Sequence, residues 1–315
     1  MRGIYIPEKG GYIGIDASII IPSYNRREIL EKCLQSLFAQ DYDRDQYEII
    51  VVDDGSNDGT GSMVQTINSP CSLVYLRNDE RSGAARTRNR GIQSARGKYI
   101  IFVDSDIVVV PQFITEHIRF HLLFPRAFVL GNLINVTSFD EIGQEKRKFI
   151  RDLSMSTFAT GNASVRREHL LQAGGFDESF LPYGWEDIEL GYRLKRLGLK
   201  RKKNPHAFGY HYNPTQVDTV SFDDLKEKEF MRGQGAAILY SKYPSLSVKL
   251  SVKGNPLLLF SPIGRWLEET SRGREFFEET RNGNKKWLRN SCAKFILYYL
   301  YMKGYEMMVK QREKP

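Results

Sequence analysis

Three apolar runs, each ending in a polar cluster, constrain the fold of this chain more than any other feature. Ala17-Ser18-Ile19-Ile20-Ile21 leads into Pro22-Ser23-Tyr24-Asn25, and Glu48-Ile49-Ile50-Val51-Val52 leads into Asp53-Asp54-Gly55-Ser56. Tyr99-Ile100-Ile101-Phe102-Val103 leads into Asp104-Ser105-Asp106. Runs that are continuously apolar and β-rich, rather than alternating, suit strands buried on both faces of a parallel sheet. Helices are expected between them. From Arg27 to Gln40 the residues Ile29, Leu30, Cys33, Leu34, Leu37 and Phe38 recur at helical spacing, and Ala84 to Ala95 reads as a second, more polar helix. The resulting β-α-β-α-β order predicts an α/β fold with a parallel sheet flanked by helices. In open α/β sheets ligands bind beyond the carboxyl ends of the strands, which is where all three polar clusters fall.

Beyond Pro111 the pattern loosens. Residues 128–165 read as mixed strand and loop, Gly174-Gly175-Phe176-Asp177 as a turn, and Glu186 to Leu197 as a helix with Leu190, Leu194 and Leu197 on one face. From about Asp218 charged helix formers punctuated by Pro and Gly predict a helical extension. The expected division is a catalytic domain over residues 1–217 and a helical C-terminal extension over 218–315.

The 315 residues carry a formal charge of +8, with 41% hydrophobic and 27% charged residues, which is a globular composition with a bias toward anionic partners. No ribonucleoprotein motif or paired Cys/His finger accompanies the charge, so nucleic acid is not the expected partner and a phosphorylated ligand or lipid fits better. Cys33, Cys71 and Cys292 are odd in number and lack Cys-x-x-Cys spacing, so neither a disulfide framework nor a zinc site is expected. No signal-like run opens the chain and none approaches the ~20 apolar residues of a spanning helix. The expected location is cytoplasmic. The oligomeric state is not legible.

Two carboxylates at i and i+2 in extended chain point to the same side, so Asp104 and Asp106 can address one cation. Carboxylate oxygens favour hard ions such as Mg²⁺ or Mn²⁺, and an added imidazole tilts the preference toward the transition metal. Acidic pairs after strands also serve as turn residues and solvated caps. A second acidic pair lies in Tyr183-Gly184-Trp185-Glu186-Asp187-Ile188-Glu189, beside an aromatic ring suited to stacking on a sugar. Asp187 is the candidate general base there, although acids at a helix start also complement the helix dipole without any catalysis.

The ordered series Ile21-Pro22-Ser23-Tyr24-Asn25, Val52-Asp53-Asp54-Gly55-Ser56, Gly83 to Gly91 with Arg88-Asn89, Asp104-Ser105-Asp106, Gly161-Asn162, Gly174-Gly175-Phe176-Asp177 and Glu186-Asp187 resembles the family-two inverting glycosyltransferases of the GT-A fold. It spans residues 17–212 and is far more specific than any one of its members.

The resemblance implies that the sheet is mixed, mainly parallel, and it implies a nucleotide-sugar donor, expected to be a UDP-sugar, and a glycan or lipid-linked acceptor, as in polysaccharide biosynthesis. Pro22, Tyr24 and Asn25 would lie along the nucleoside, Asp53 and Asp54 would contact base or ribose, and Arg88 and Asn89 would help close that pocket, with helix packing the other reading of Asn89. Asp104, with Ser105, would face ribose and metal, and Asp106 would be the principal metal ligand. Gly161 and Asn162 would border the donor sugar, Trp185 and Glu186 would position the acceptor, and Asp187 would deprotonate it. His211 is similar to a histidine that completes the metal site in part of the family; a histidine among aromatics is also a common core residue, and His206 competes for the role. The cation would be Mn²⁺ or Mg²⁺, neutralising the departing diphosphate.

The Lys200 to Lys203 run reads either as a diphosphate sensor or as a solvated face. Processive synthases of the family carry Gln-x-x-Arg-Trp; here Pro262 precedes Arg265-Trp266 where that glutamine would stand, which favours single additions. The helix Lys285 to Lys310 mixes aromatic and basic residues, so it can lie on an anionic inner membrane face or pack against protein. Two other functions share the fold: a sugar-nucleotidyltransferase, for which the Gly-rich loop after the first strand is missing, and a carbohydrate-binding scaffold without turnover.

Overall fold

The computed structural model describes residues 14–143, 158–180, 184–213, 221–282 and 286–312. The chain forms two compact units, one of Met1–Glu178 with Asp187–Thr215 and one of Ser179–Glu186 with Gln216–Pro315.

The first unit is built in the order β1 (Ala17–Ser23), α1 (Arg27–Phe38), β2 (Tyr47–Asp53), α2 (Thr60–Thr66), β3 (Ser72–Arg77), α3 (Ala84–Ser94), β4 (Tyr99–Val103), β5 (Ile107–Val109), α4 (Phe113–Leu123), β6 (Ala127–Val136), β7 (Asn162–Arg166) and α5 (Arg167–Gln172). It continues through α6 (Glu186–Arg196), which enters this unit at Asp187, and β8 (Lys200–Tyr212). The sheet order is β3-β2-β1-β4-β7-β6-β8-β5. β1, β2, β3 and β4 pair in parallel, as do β6 and β8, whereas β7 runs antiparallel to β4 and β6 and β5 antiparallel to β8.

Both faces of the central strands are covered, which is why their sequence does not alternate. Ile19 and Ile21 of β1 join Ile49, Val51, Ile101 and Val103 in one core with α1. Ile20 joins Ile50, Val52, Ile100 and Phe102 in the other, against Ala85 and Ile92 of α3. Helix α1 buries Leu30, Cys33, Leu34 and Leu37, and each buried leucine contributes about 1.5–3 kcal/mol. Pro22 extends β1 where pairing to β4 has ended at Ile20, so its missing N–H disturbs a strand with one remaining neighbour. The Lys200 to Lys203 run opens β8 and pairs with Ala127 to Leu130.

The second unit is helical: α7 (Phe222–Lys242), α8 (Leu246–Lys253), a 3₁₀ turn (Pro256–Phe260), α9 (Ser261–Glu269), α10 (Ser271–Asn282) and α11 (Lys286–Arg312). Its core is the C-terminal helix itself. α11 buries Cys292, Ile296, Tyr301 and Tyr305 against its neighbours. Close approach of α7 and α11 depends on two glycines: a Cβ at Gly233 would come within 1.9 Å of the Tyr301 carbonyl, and one at Gly304 within 2.1 Å of the Phe230 carbonyl. Part of the aromatic surface of α11 is thus used for packing inside its own unit, while Trp287 is 67% exposed. Among the described residues no helix is long and apolar enough to cross a membrane.

Candidate active site

The first two strand ends are tied to each other. Asn25 adopts φ 49°, a left-handed conformation that asparagine tolerates, and its N–H donates to Ser56 Oγ at 2.8 Å while its Oδ1 accepts from Asn57 N–H at 2.9 Å. Tyr24 is exposed, with the Arg81 guanidinium 4.6 Å from its ring centroid. Asp53 is fully buried; its carboxylate accepts from Ser56 N–H at 2.9 Å and from Tyr75 OH at 2.5 Å. Asp54 accepts from Asn78 Nδ2, Ser82 N–H, Ser82 OH and Gly83 N–H. Burial pushes the Asp54 carboxyl up, but these four donors outweigh it and hold it below the ordinary value. Both side chains therefore organise the loops that follow β2 and β3.

Arg88, nearly buried on α3, reaches Asp104 Oδ1 at 3.0 Å and lies 5.6 Å from the Phe176 ring centroid. Asn89 is a clamp: its Nδ2 donates to the Phe176 carbonyl at 2.8 Å and to Glu178 at 2.9 Å, and its Oδ1 accepts from Phe176 N–H at 2.7 Å. It pins the Gly174 to Asp177 turn, which is the packing reading of that residue.

Asp104-Ser105-Asp106 is the link from β4 to β5. Although the two strands are consecutive, β4 lies inside the sheet and β5 at its edge. Ile107 of β5 pairs with His211 of β8, and Tyr212 N–H donates to the Asp106 carbonyl at 2.9 Å. That register brings the His211 Nε2 to 3.5 Å from Asp106 Oδ2. The same Oδ2 accepts from the Arg26 guanidinium, while Asp106 Oδ1 is buried without a hydrogen-bond partner. Burial raises the Asp106 carboxyl, but His211 and Arg26 together draw it below its usual value. The contact with Asp106 raises His211 against the opposing effect of its own burial. Asn135 of β6 stands opposite His211 in the sheet, its Oδ1 3.0 Å from His211 Nδ1. With Nδ1–H directed at Asn135, loss of the Nε2 proton that now faces Asp106 leaves the Nε2 lone pair on the Asp106 side. His206 is exposed, and its backbone N–H donates to Asn204.

These features fit a divalent cation. An orphaned carboxylate oxygen and an oriented imidazole nitrogen are two donors of the type Mn²⁺ accepts, leaving other positions for diphosphate oxygens and water. Among the described residues no group of three or more His, Cys, Asp or Glu side chains gathers as a closed metal cage. Ser105 is buried, and Asp104 is partly exposed, with a Cβ at Gly161 able to approach its Oδ2 only to 3.1 Å.

Asn162, expected beside the donor sugar, is only 2% exposed. Its Nδ2 donates to the Asn132 carbonyl at 3.1 Å and the Ala207 carbonyl at 3.0 Å, and its Oδ1 lies 3.0 Å from His117 Nε2. Gly131 makes room for it, since a Cβ there would come within 2.3 Å of the amide. The side chain is thus a strut between β6, β7 and β8, and Gly161 is the neighbour that meets Asp104. Asp187, in the first unit, accepts from Ile188 N–H at 2.6 Å. Trp185 and Glu186 belong to the second unit, where Trp185 holds φ 78° and its Nε1 donates to the Arg232 carbonyl at 2.8 Å.

Arg26, Asn135 and the His117–Asn162 strut escaped sequence reasoning. Arg26 had one readable signal, its place directly after the first strand-end cluster; Asn135 had none, because only the β6–β8 register sets it against His211.

The architecture and this acidic centre define a nucleotide-sugar transferase of the GT-A class. Residues 18–174 match the model of glycosyl transferase family 2, and residues 142–216 match that of the N-terminal domain of galactosyltransferase. The chain belongs to glycosyl transferase family 2. It is 28% identical over 297 residues to the uncharacterized glycosyltransferase YfnE of Bacillus subtilis, covering 76% of this chain and 74% of that one. Of seven others among the curated relatives that match, the chain spans between 25% and 62% of their own lengths. The mannosyltransferase PcManGT of Pyrobaculum calidifontis, solved with GDP-Man and Mn²⁺, superposes with a TM-score of 0.63 at 17% identity over 97% of this chain and 92% of that one. Staphylococcus aureus TarS 1-349 with UDP-GlcNAc gives 0.52 at 18% identity over 93% and 92%. At these identities the two structures speak for the fold.

Proposed function

We propose that this glycosyltransferase moves a hexosyl or N-acetylhexosaminyl group from a UDP-sugar to a hydroxyl of a glycan or lipid-linked acceptor, with inversion and with a divalent cation. The observation that carries the reading is the meeting of Asp106, with its unpartnered Oδ1, and the Asn135-oriented His211 at the end of β4. Asp106 and His211 would hold Mn²⁺ or Mg²⁺, with Asp104 beside them. When bound, the cation supplies Lewis-acid neutralisation of the diphosphate leaving group. Tyr24 and Asn25 flank the nucleoside, Arg88 holds Asp104 in place, and the buried Asp53 and Asp54 carboxylates keep the surrounding loops fixed.

Asp187 takes the proton from the acceptor hydroxyl as its oxygen attacks the anomeric carbon from the face opposite the diphosphate. That displacement converts an α-linked donor into a β-linked product. In this reading residues 1–217 form the catalytic domain and 218–315 a helical extension, and the reaction faces the cytoplasm, consistent with the three free thiols.

Transfer and hydrolysis measured over a panel of UDP- and GDP-sugars, with Mn²⁺, Mg²⁺ or chelator, tests the proposal. UDP-sugar turnover lost on chelation is the expected result; turnover indifferent to chelator removes the metal. Pyrophosphate release from a nucleoside triphosphate would make the chain a nucleotidyltransferase instead.

A further inference from the structure

The second unit exposes apolar side chains in an uneven way. Of fourteen large exposed hydrophobic residues among the described positions, seven lie between Leu246 and Trp266. Leu246 is 72%, Leu250 57% and Leu259 81% exposed, with Leu257, Ile263 and Trp266 also open. Scattered single exposures of this kind need no explanation, but a run of them marks a surface that meets something.

Helix α8 shows how the run is arranged. Val248 and Val252 are buried at i, i+4 spacing and fasten the helix to its unit. Leu246 and Leu250, also i, i+4, lie on the opposite side, where a solvated helix would carry polar residues. Lys249 and Lys253 fall within the same outward arc, and Lys253 Nζ lies 4.0 Å from the Tyr305 ring centroid. The 3₁₀ turn then projects Leu257 and Leu259, while Phe260 stacks on Phe295 of α11 at 5.0 Å and anchors the turn. From Leu246 to Trp266 the only ionisable side chains are Lys249, Lys253 and Arg265; there is no acid. The surroundings continue the bias, with eighteen Lys and Arg against twelve Asp and Glu over residues 216–315.

We propose that the Leu246–Trp266 face is a docking surface for an anionic lipid bilayer. Leucines interleaved with lysine on one face are poorly suited to a protein interface, whose core is depleted in lysine because each ammonium would be desolvated. At a bilayer the same arrangement is favourable: leucine, isoleucine and tryptophan enter the acyl boundary and the lysine stems extend to the phosphates. The excess of basic residues selects anionic over neutral headgroups. The surface is separate from α11, which turns Ile296, Tyr301 and Tyr305 into the unit.

The test is co-sedimentation of the full chain, without nucleotide sugar, with phosphatidylcholine vesicles and with vesicles also containing phosphatidylglycerol. Binding to the anionic vesicles alone, weakening as salt is raised, is expected. Leu250→Glu combined with Leu259→Glu lowers the partition coefficient about tenfold or more while leaving the melting temperature unchanged, because both side chains are exposed. Leu250→Ile with Leu259→Ile retains binding, and Lys249→Glu weakens it several-fold. Equal binding of the double glutamate variant overturns the proposal. So does a wild-type dimer in light scattering that the glutamate variant lacks, which would make a second copy of the chain the occupant. Neither outcome bears on sugar transfer.

Discussion

Arg26 donates to Asp106 Oδ2, the oxygen that lies 3.5 Å from His211 Nε2. A guanidinium thus occupies the charge position that a divalent cation requires, and the cation must displace it. Arg26→Ala therefore tightens the binding of Mn²⁺ alone, by about two- to fivefold given what a half-exposed ion pair contributes. Titration calorimetry or the electron spin resonance of free Mn²⁺ reads this directly. Unchanged or weaker affinity in the variant would show that Arg26 does not compete.

Asn135 acts on the ion through His211. Asn135→Ala removes the acceptor at Nδ1, leaves the imidazole free to choose either tautomer, and weakens Mn²⁺ binding about 10- to 100-fold. Asn135 is exposed on β6, so the melting temperature should hold. A melting temperature that falls while Mn²⁺ affinity stays constant would assign Asn135 to the sheet instead.

Asp187→Asn separates catalysis from folding. Loss of the base lowers kcat about 10²- to 10⁴-fold, with UDP affinity retained. If UDP binding disappears along with transfer, the carboxylate serves the start of α6 through its bond to Ile188 N–H and is not the base.

The buried histidines predict acid sensitivity. Burial lowers His117 to about 4 and His121 to about 3, against an ordinary value of 6.5. Both are neutral in the fold, whereas the unfolded chain takes up their protons below 6.5. The unfolded state then binds more protons, so stability is unaffected above that pH and falls as pH drops from 6.5 toward 4. Urea unfolding at stepped pH should show this slope, and His121→Gln should reduce it. A flat profile down to pH 4 would mean that these imidazoles are already charged in the fold.

The strand runs, the two helices after β1 and β3, and the polar clusters at the strand ends were all legible in the sequence, because periodicity and chain propensity depend on neighbours a few residues apart. The Asp104-Ser105-Asp106 link was found for the same reason, as was its family. The role of each acid was a different matter. Asp53, Asp54 and Asn162 have side chains suited to a ligand, yet the structure surrounds them with internal donors and carbonyls. Nothing in their local sequence distinguishes a carboxylate that faces a pocket from one that fastens a loop. His211 was preferred over its neighbour His206 on the resemblance alone; what sets it beside Asp106 is the antiparallel register of β5 and β8, which pairs His211 with Ile107, while the parallel register of β6 and β8 pairs Asn135 with His211. A one-residue slip in either pairing would turn those side chains to the other face. The sequence by itself determined where the sheet ends and what chemistry gathers there. Tertiary structure decided which of those groups remain open, because burial and register depend on segments distant in the chain and meeting only in the folded sheet.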